Sequence, residues 1–340
     1  MVPMRNLITD VPGLKVGHAE DLRLGSGSTV ILFDQPAVAS IDVRGGGPGT
    51  RETALLDPAQ TVQGIDAIVL SGGSAFGLDA ASGTQAWLRE QGRGFAVRTA
   101  KVPIVPAAIL FDLLSGGDKN WGRFPPYRDL GYAATASAAA DFKLGSVGAG
   151  AGATTVNCKG GIGSASAQSR EGYTVGALAA VNAAGSVLVG DGPWFWAAPF
   201  EVDGEFGSCG LPGMFSPAML APQTKGSPRE NTTLVVVATD AALNKSEAKR
   251  LAVMAQSGLS RAIYPVHSPL DGDVVFTAST GRRPLADPTH DLTRLGTLAA
   301  NVVARAIARG VYEARALPGQ GELPGWQDRF GNARSDIETT

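Results

Sequence analysis

Leu234 to Thr239 reads LVVVAT, an apolar run with no polar residue at alternate positions. Side chains of a strand alternate between two faces, so a strand of this composition is buried on both. A chain holding it needs layers above and below. The 45 glycines and abundant alanines let backbones pack closely, which suits a layered α/β protein. The 340 residues suffice for one large core or two domains.

Other segments fit that class. Ser28 to Phe33 and Ala67 to Leu70 are short, β-branched and bounded by turn residues, as strands are. Ser71-Gly72-Gly73 then leads into a helical stretch, Ser74 to Gln91. Ile104 to Leu114 is apolar, and Leu130 to Phe142 is Ala-rich and predicts a helix. Glycine dominates from Gly145 to Gly163, with Lys159 in the middle. Val175 to Val181 and Ser186 to Val189 predict a strand pair. Asn244 and Glu247 fit a capping box, followed by an apolar stripe at Ala248, Leu251, Ala252, Ala255 and Leu259. Val274 to Ala278 predicts a strand and His290 to Arg309 a last helix. The tail from Leu317 is polar and is expected to be loosely held.

Between Gly190 and Glu230 the chain is rich in Pro and Gly and keeps no period. Irregular segments this long are uncommon inside a compact domain and are commonly functional. This one ends at Asn231-Thr232, directly before the buried strand.

Composition excludes several classes. A net charge of −2 offers no argument for a nucleic acid or anionic membrane partner, and neither is expected. No run reaches the ~18 apolar residues of a membrane helix. Met1 to Asp10 lacks the apolar core of a signal peptide, so a cytoplasmic protein is expected. Cys158 and Cys209 are too few for a disulfide framework or a metal cluster. No metal or cofactor is expected.

A threonine at Thr232 has the chemistry to attack the preceding carbonyl. Hydrolysis of the resulting ester frees an amine that serves as base for the same hydroxyl. Such an amine titrates at about 7.7–8, close to working pH. On spacing alone Thr232 equally fits the first residue of a strand, and Asn231-Thr232-Thr233 also matches a glycosylation pattern. Asp271 and Asp273, at i and i+2 entering a strand, point to one side, as a catalytic pair or as an acidic turn. Lys159 in its glycine loop is either a source of positive charge or a surface lysine. Asn182, at a turn, is either an oxyanion donor or a turn former. Ser74 follows a strand and precedes a helix like a nucleophile elbow, but Phe76 replaces the second glycine of that motif. With only His18, His267 and His290, bases for a triad are few. Gly45 to Gly49 lacks a nucleotide-binding signature.

Six segments together resemble the self-processing L-aminopeptidase/D-Ala-esterase/amidase family, which includes the endo-type nylon-oligomer hydrolase. They are Ile8 to Asp21, Leu70 to Gly83, Lys101 to Leu113, Val147 to Ser166, Asn231 to Asp240 and Asp271 to Thr280, in the family's order. The resemblance runs from Ile8 to Arg309. It implies an αββα sandwich of N-terminal-nucleophile type. One domain, 1–340, would be cut into an α chain, Met1 to Asn231, and a β chain, Thr232 to Thr340. The nucleophile falls on Thr232, where many relatives have serine. The assisting groups fall on Lys159, Asn182, Asp271 and Asp273. A tyrosine of the nylon-oligomer branch is absent, because Phe111 stands in its segment. The resemblance also implies a small peptide or amide substrate and homo-oligomers, often tetramers of αβ units. An acyltransferase using the same acyl-threonine, a non-catalytic ligand-binding relative and a serine hydrolase built on Ser74 are the competing readings.

Overall fold

The computed structural model describes residues 4–225, 231–317 and 323–331. Strand β1 (Leu14–Asp21) and the long β2 (Ser26–Val43) form a hairpin. Then follow β3 (Gly49–Arg51), β4 (Ile65–Ser71), α1 (Ala80–Glu90), a small hairpin of β5 (Phe95–Val97) and β6 (Ala100–Val102), β7 (Ala107–Ile109) and α2 (Tyr127–Ala136). Next come β8 (Ile162–Gln168), β9 (Thr174–Asn182), β10 (Thr232–Ala242), α3 (Lys245–Ala262), β11 (Val274–Pro284), α4 (Pro288–Tyr312) and the short α5 (Trp326–Phe330).

Strand β2 is long enough to serve two sheets. Ser28 to Leu32 pair with β4, while Val38 to Val43 pair with β11. One half of the structure therefore runs β3-β7-β4-β2, with β1 beside β2. The other runs β2-β11-β10-β9-β8.

Alternation along the strands sorts the side chains into three cores. Ile31, Phe33, Ile68 and Leu70 meet Leu178, Leu234, Val236 and Phe276 between the two halves. The opposite faces carry Val30, Leu32 and Val69, packed on Ala80 and Leu88 of α1 and Tyr127 of α2. On the far side Val235, Val237 and Val275 pack on Leu251 and Leu259 of α3 and Val302 and Ile307 of α4. The order is helix, sheet, sheet, helix, the αββα sandwich expected. Strand β10 sends residues into two of the cores, as its apolar run predicts.

The local signals at α3 hold in detail. Asn244 Oδ1 accepts the Glu247 N–H at 2.9 Å, and Glu247 Oε2 accepts the Asn244 N–H at 2.8 Å. All five stripe residues are buried.

Three expectations need correction. The helix predicted over Leu130 to Phe142 ends at Ala136, because Ala139 turns back and exchanges two 3.0 Å backbone bonds with Val16. Ser186 to Val189 does not pair with β9, both of whose edges are already taken by β8 and β10; Ser186 instead exchanges 2.9 Å backbone bonds with Tyr264. The tail is not loose where it is described. Trp326 is buried against Phe195 and Tyr312, and its indole N–H donates to the Pro193 carbonyl at 3.1 Å. Residues 318–322 and 332–340 of that tail lie outside the described residues.

The contact between β8 and α4 is so close that a Cβ on Gly163 would stand 1.9 Å from the Ala306 carbonyl oxygen. Gly163→Ala is expected to cost about 1–3 kcal/mol, as overpacking does. A lower urea midpoint at unchanged m-value checks it.

Candidate active site

Three strand ends meet at one edge of the second half-sheet. Strand β9 ends at Asn182, and β10 starts at Thr232, its register partner. Strand β11 starts just after Asp273. Asn231 forms a parallel bridge with Asp271. Asn182, Asn231, Thr232, Asp271, Asp273 and Lys159 are all buried. The structure thus draws five of the six residues singled out in the sequence into one cluster by direct backbone pairing or adjacency.

The Thr232 hydroxyl donates to the carbonyl oxygen of Asn231, the residue before it. The same oxygen accepts the Gly272 N–H at 3.0 Å. Position 272 has to be glycine here. A Cβ would lie 2.7 Å from Thr232 Oγ1 and 2.9 Å from the Gly47 carbonyl oxygen. The run Gly45 to Gly49 supplies the opposing wall. The Arg44 and Gly45 N–H groups donate to the Asp273 carbonyl at 3.0 and 3.3 Å, and the Gly47 N–H donates to the Asp271 carbonyl at 2.7 Å. That glycine run serves close backbone approach.

Each carboxylate has its own set of donors. Asp271 accepts the Ala184 N–H and the Ser268 hydroxyl, both at 3.0 Å. Burial, reinforced by the charge of Asp273, pushes its pKa up to about 6. Asp273 accepts the Thr233 N–H at 3.0 Å on Oδ1. On Oδ2 it takes the His267 N–H at 3.1 Å and the His267 ring Nδ1 at 3.0 Å.

Asn182 is fully buried. Its Oδ1 accepts the Thr154 N–H at 3.0 Å and the Lys225 ammonium at 3.1 Å. Its Nδ2 donates to the Phe111 carbonyl at 3.0 Å. Lys159 reaches the cluster through Thr154, with which it forms a bridge. Its ammonium donates to the carbonyls of Ala151 and Ala153 at 2.6 and 2.8 Å. The glycine loop buries this lysine, against the surface alternative.

Sequence reasoning missed several groups. His267 entered only as a possible triad base, and Lys225 not at all. Asp112 follows Phe111 and is fully buried. It accepts the Ser26 hydroxyl at 2.6 Å and the Gly73 N–H at 2.7 Å, and Tyr127 donates to Ser26 at 3.1 Å. Burial holds the Asp112 carboxyl well above the usual range, against the charges of Lys119 and Lys159. Its one signal was an acidic residue inside the apolar run Ile104 to Leu114.

Ser74 does sit at a strained strand-to-helix turn, with φ at 52°. Among the described residues no histidine bonds its hydroxyl. His18 Nδ1 is on Thr29, His267 Nδ1 on Asp273 and His290 Nδ1 on Asp287. The serine-triad reading therefore has no base.

Residues 6–323 match the description of peptidase family S58. The chain belongs to that family. An S58 relative, an uncharacterized aminopeptidase of Mycobacterium tuberculosis, is 42% identical over 349 residues, covering 96% of this chain and 99% of that protein. A 6-aminohexanoate-oligomer endohydrolase of Kocuria sp. is 28% identical over 322 residues, covering 89% and 84%. In structure the chain is similar to a Burkholderia sp. beta-aminopeptidase, with a TM-score of 0.73 at 24% identity over 98% of this chain and 94% of that one. It is also similar to the L-aminopeptidase D-Ala-esterase/amidase of Ochrobactrum anthropi, described as a variant of the Ntn hydrolase fold, with a TM-score of 0.72 at 19% identity over the same shares. These two structures support the fold alone. As an S58 peptidase the protein is a hydrolase of peptide or amide bonds.

The raised pKa of Asp271 has a sign that can be tested. The folded S58 chain takes up this proton near pH 6, whereas an unfolded aspartate does so near 3.9. Stability from this group therefore rises as pH falls from about 7 to about 4. Against Asp271→Asn, whose side chain does not titrate, the wild type should gain stability over that window. Urea midpoints at several pH values read it, and a constant difference would mean that folding leaves the Asp271 pKa unchanged.

Proposed function

We propose that the chain cuts its own 231–232 bond and that Thr232 then works as the N-terminal nucleophile of an amide hydrolase. One observation carries this reading. The Thr232 hydroxyl lies against the Asn231 carbonyl, and that carbonyl oxygen already receives the Gly272 N–H. On this reading the two contacts supply a nucleophile, its target carbonyl and an oxyanion donor.

In the first stage Oγ1 attacks the Asn231 carbonyl carbon. The Thr232 nitrogen leaves as an amine, taking up the hydroxyl proton, and an ester joins Asn231 to Oγ1. Water opens the ester, leaving a carboxylate on Asn231 and a free amine on Thr232. The products are an α chain, 1–231, and a β chain, 232–340. Burial supplies part of the drive. Both polar atoms of the Asn231 side chain are buried and find no partner among the described residues, at a cost of about 1–3 kcal/mol each. A new chain end is free to carry them to water.

In the second stage the amine takes the Oγ1 proton as the hydroxyl attacks a substrate amide. Gly272 and Asn182 steady the oxyanion, the latter by turning its amide from the Phe111 carbonyl. Asp271 and Asp273 orient the amine and hydroxyl, and Lys159 supplies positive charge. The acyl-threonine ester is then hydrolysed. Substrates are small peptides or amides, with aminohexanoate oligomers among the candidates, as the Kocuria relative's name suggests. Family resemblance also supports a cytoplasmic homo-oligomer, a tetramer of αβ units. The phenyl ring at Phe111 keeps packing but donates no hydrogen bond.

Intact mass of purified protein should give two fragments of very unequal size. Thr232→Ala should remain one species and hydrolyse no amino-acid p-nitroanilide; an active, uncut wild type would overturn the scheme. Gly272→Ala keeps its N–H, but its methyl, 2.7 Å from Thr232 Oγ1, should push that donor and the hydroxyl apart and slow cutting by about 100-fold, the order seen when an oxyanion donor is lost. A time course of intact mass measures it.

A further inference from the structure

His267 is held in the left-handed region, with φ at 57°. Few non-glycine residues sit there, chiefly Asn, Asp and His, and they persist where surrounding contacts repay the strain. Here the conformation brings two donors of one residue onto one oxygen. The His267 backbone N–H reaches Asp273 Oδ2 at 3.1 Å, and ring Nδ1 reaches the same atom at 3.0 Å. A carboxylate oxygen only accepts, so the ring proton sits on Nδ1. Asp273 is 1% exposed, whereas the His267 ring keeps a fifth of its surface in solvent. The remaining oxygen, Oδ1, accepts the N–H of Thr233, the residue after the nucleophile.

A carboxylate turns about a broad, two-fold torsion and is poorly fixed by one contact. Three donors on its two oxygens fix its plane. We propose that His267 is a positioning residue: its ring locks the Asp273 carboxylate in the one orientation that serves the Thr232 amine and hydroxyl. This rests on the Thr232 reading above. Misplacement of a reacting group by about 1 Å costs up to about 100-fold in rate, so the lock acts on turnover and not on substrate affinity.

Three substitutions at this position tolerate a left-handed backbone. His267→Gly removes the ring. His267→Asn keeps an N–H close to the place of Nδ1. His267→Asp has the shape of Asn but offers only acceptors to Asp273. Each full-length variant is assayed for cutting by intact mass, and for kcat and KM on an amino-acid p-nitroanilide, with kcat expressed per cut chain. His267→Gly and His267→Asp should lose about tenfold or more in kcat and in cutting rate, with KM within about twofold. His267→Asn should recover most of both rates, and imidazole added to the Gly variant should restore part of its kcat. Equal rates in the Asn and Asp variants, whether both high or both low, would overturn the proposal. That isosteric pair decides the matter even where the Gly variant fails to fold. Thr232→Ala in the same assay separates the two claims. If it stays active, the nucleophile is wrong; if it is dead while the Asn and Asp variants match, only the role of His267 falls.

Discussion

Burial of β10 on both faces is the constraint on which the rest depends. Leu234, Val236 and Ala238 enter the core between the sheets, and Val235 and Val237 enter the core under α3 and α4. Its backbone is paired on both edges, with β9 and β11. A strand locked in this way has no freedom to slide, because a one-residue slip would exchange its two faces. Thr232 is the first residue of that strand. Its hydroxyl is therefore placed by the packing of the whole molecule, and loops are left only to close around it.

The same burial creates an electrostatic problem that the site resolves with backbone. Charges removed from water need partners, and unpaired ones neutralise by shifting their pKa. Lys159 is answered by the carbonyls of Ala151 and Ala153, and Asp273 by the N–H groups of Thr233 and His267. Asp271 has the Ala184 N–H and the Ser268 hydroxyl, yet lies beside a second carboxylate. Burial first, and the Asp273 charge second, raise its pKa to about 6, which leaves the group ready to gain or lose a proton close to neutrality.

Much of this was legible in the sequence. The doubly buried β10, the capping box of α3 and its stripe follow from local chemistry that tertiary contacts reinforce. Asp271 and Asp273 carry the spacing that puts them together. Elements failed where a distant partner decided. Ala139 leaves the helical state because Val16 offers a strand edge, and Ser186 pairs with Tyr264 because β9 is already flanked. Trp326 is held by Phe195 and Tyr312, residues far from it in sequence. Among site residues, Asp112 and His267 were missed for one reason. Their meaning lies in what they touch, Gly73 and Ser26 for one and Asp273 for the other, and no local pattern announces either pairing.

Topology explains why chemistry from distant segments converges. Strands β10 and β11 are parallel and joined through α3, so both begin at the same end of the sheet. Strand β9 is antiparallel to β10 and therefore finishes there. Thr232 at the start of β10, the carboxylates of Asp271 and Asp273 before β11 and the Asn182 amide at the end of β9 are obliged to be neighbours. On the proposed scheme the cut falls just outside β10, after Asn231, which among the described residues bridges Asp271 and accepts the Gly272 N–H. Two of the three cores interlock strands from both sides of residue 231, and the third lies wholly before it. A cut at that place would leave the new amine at the end of a strand buried on both faces.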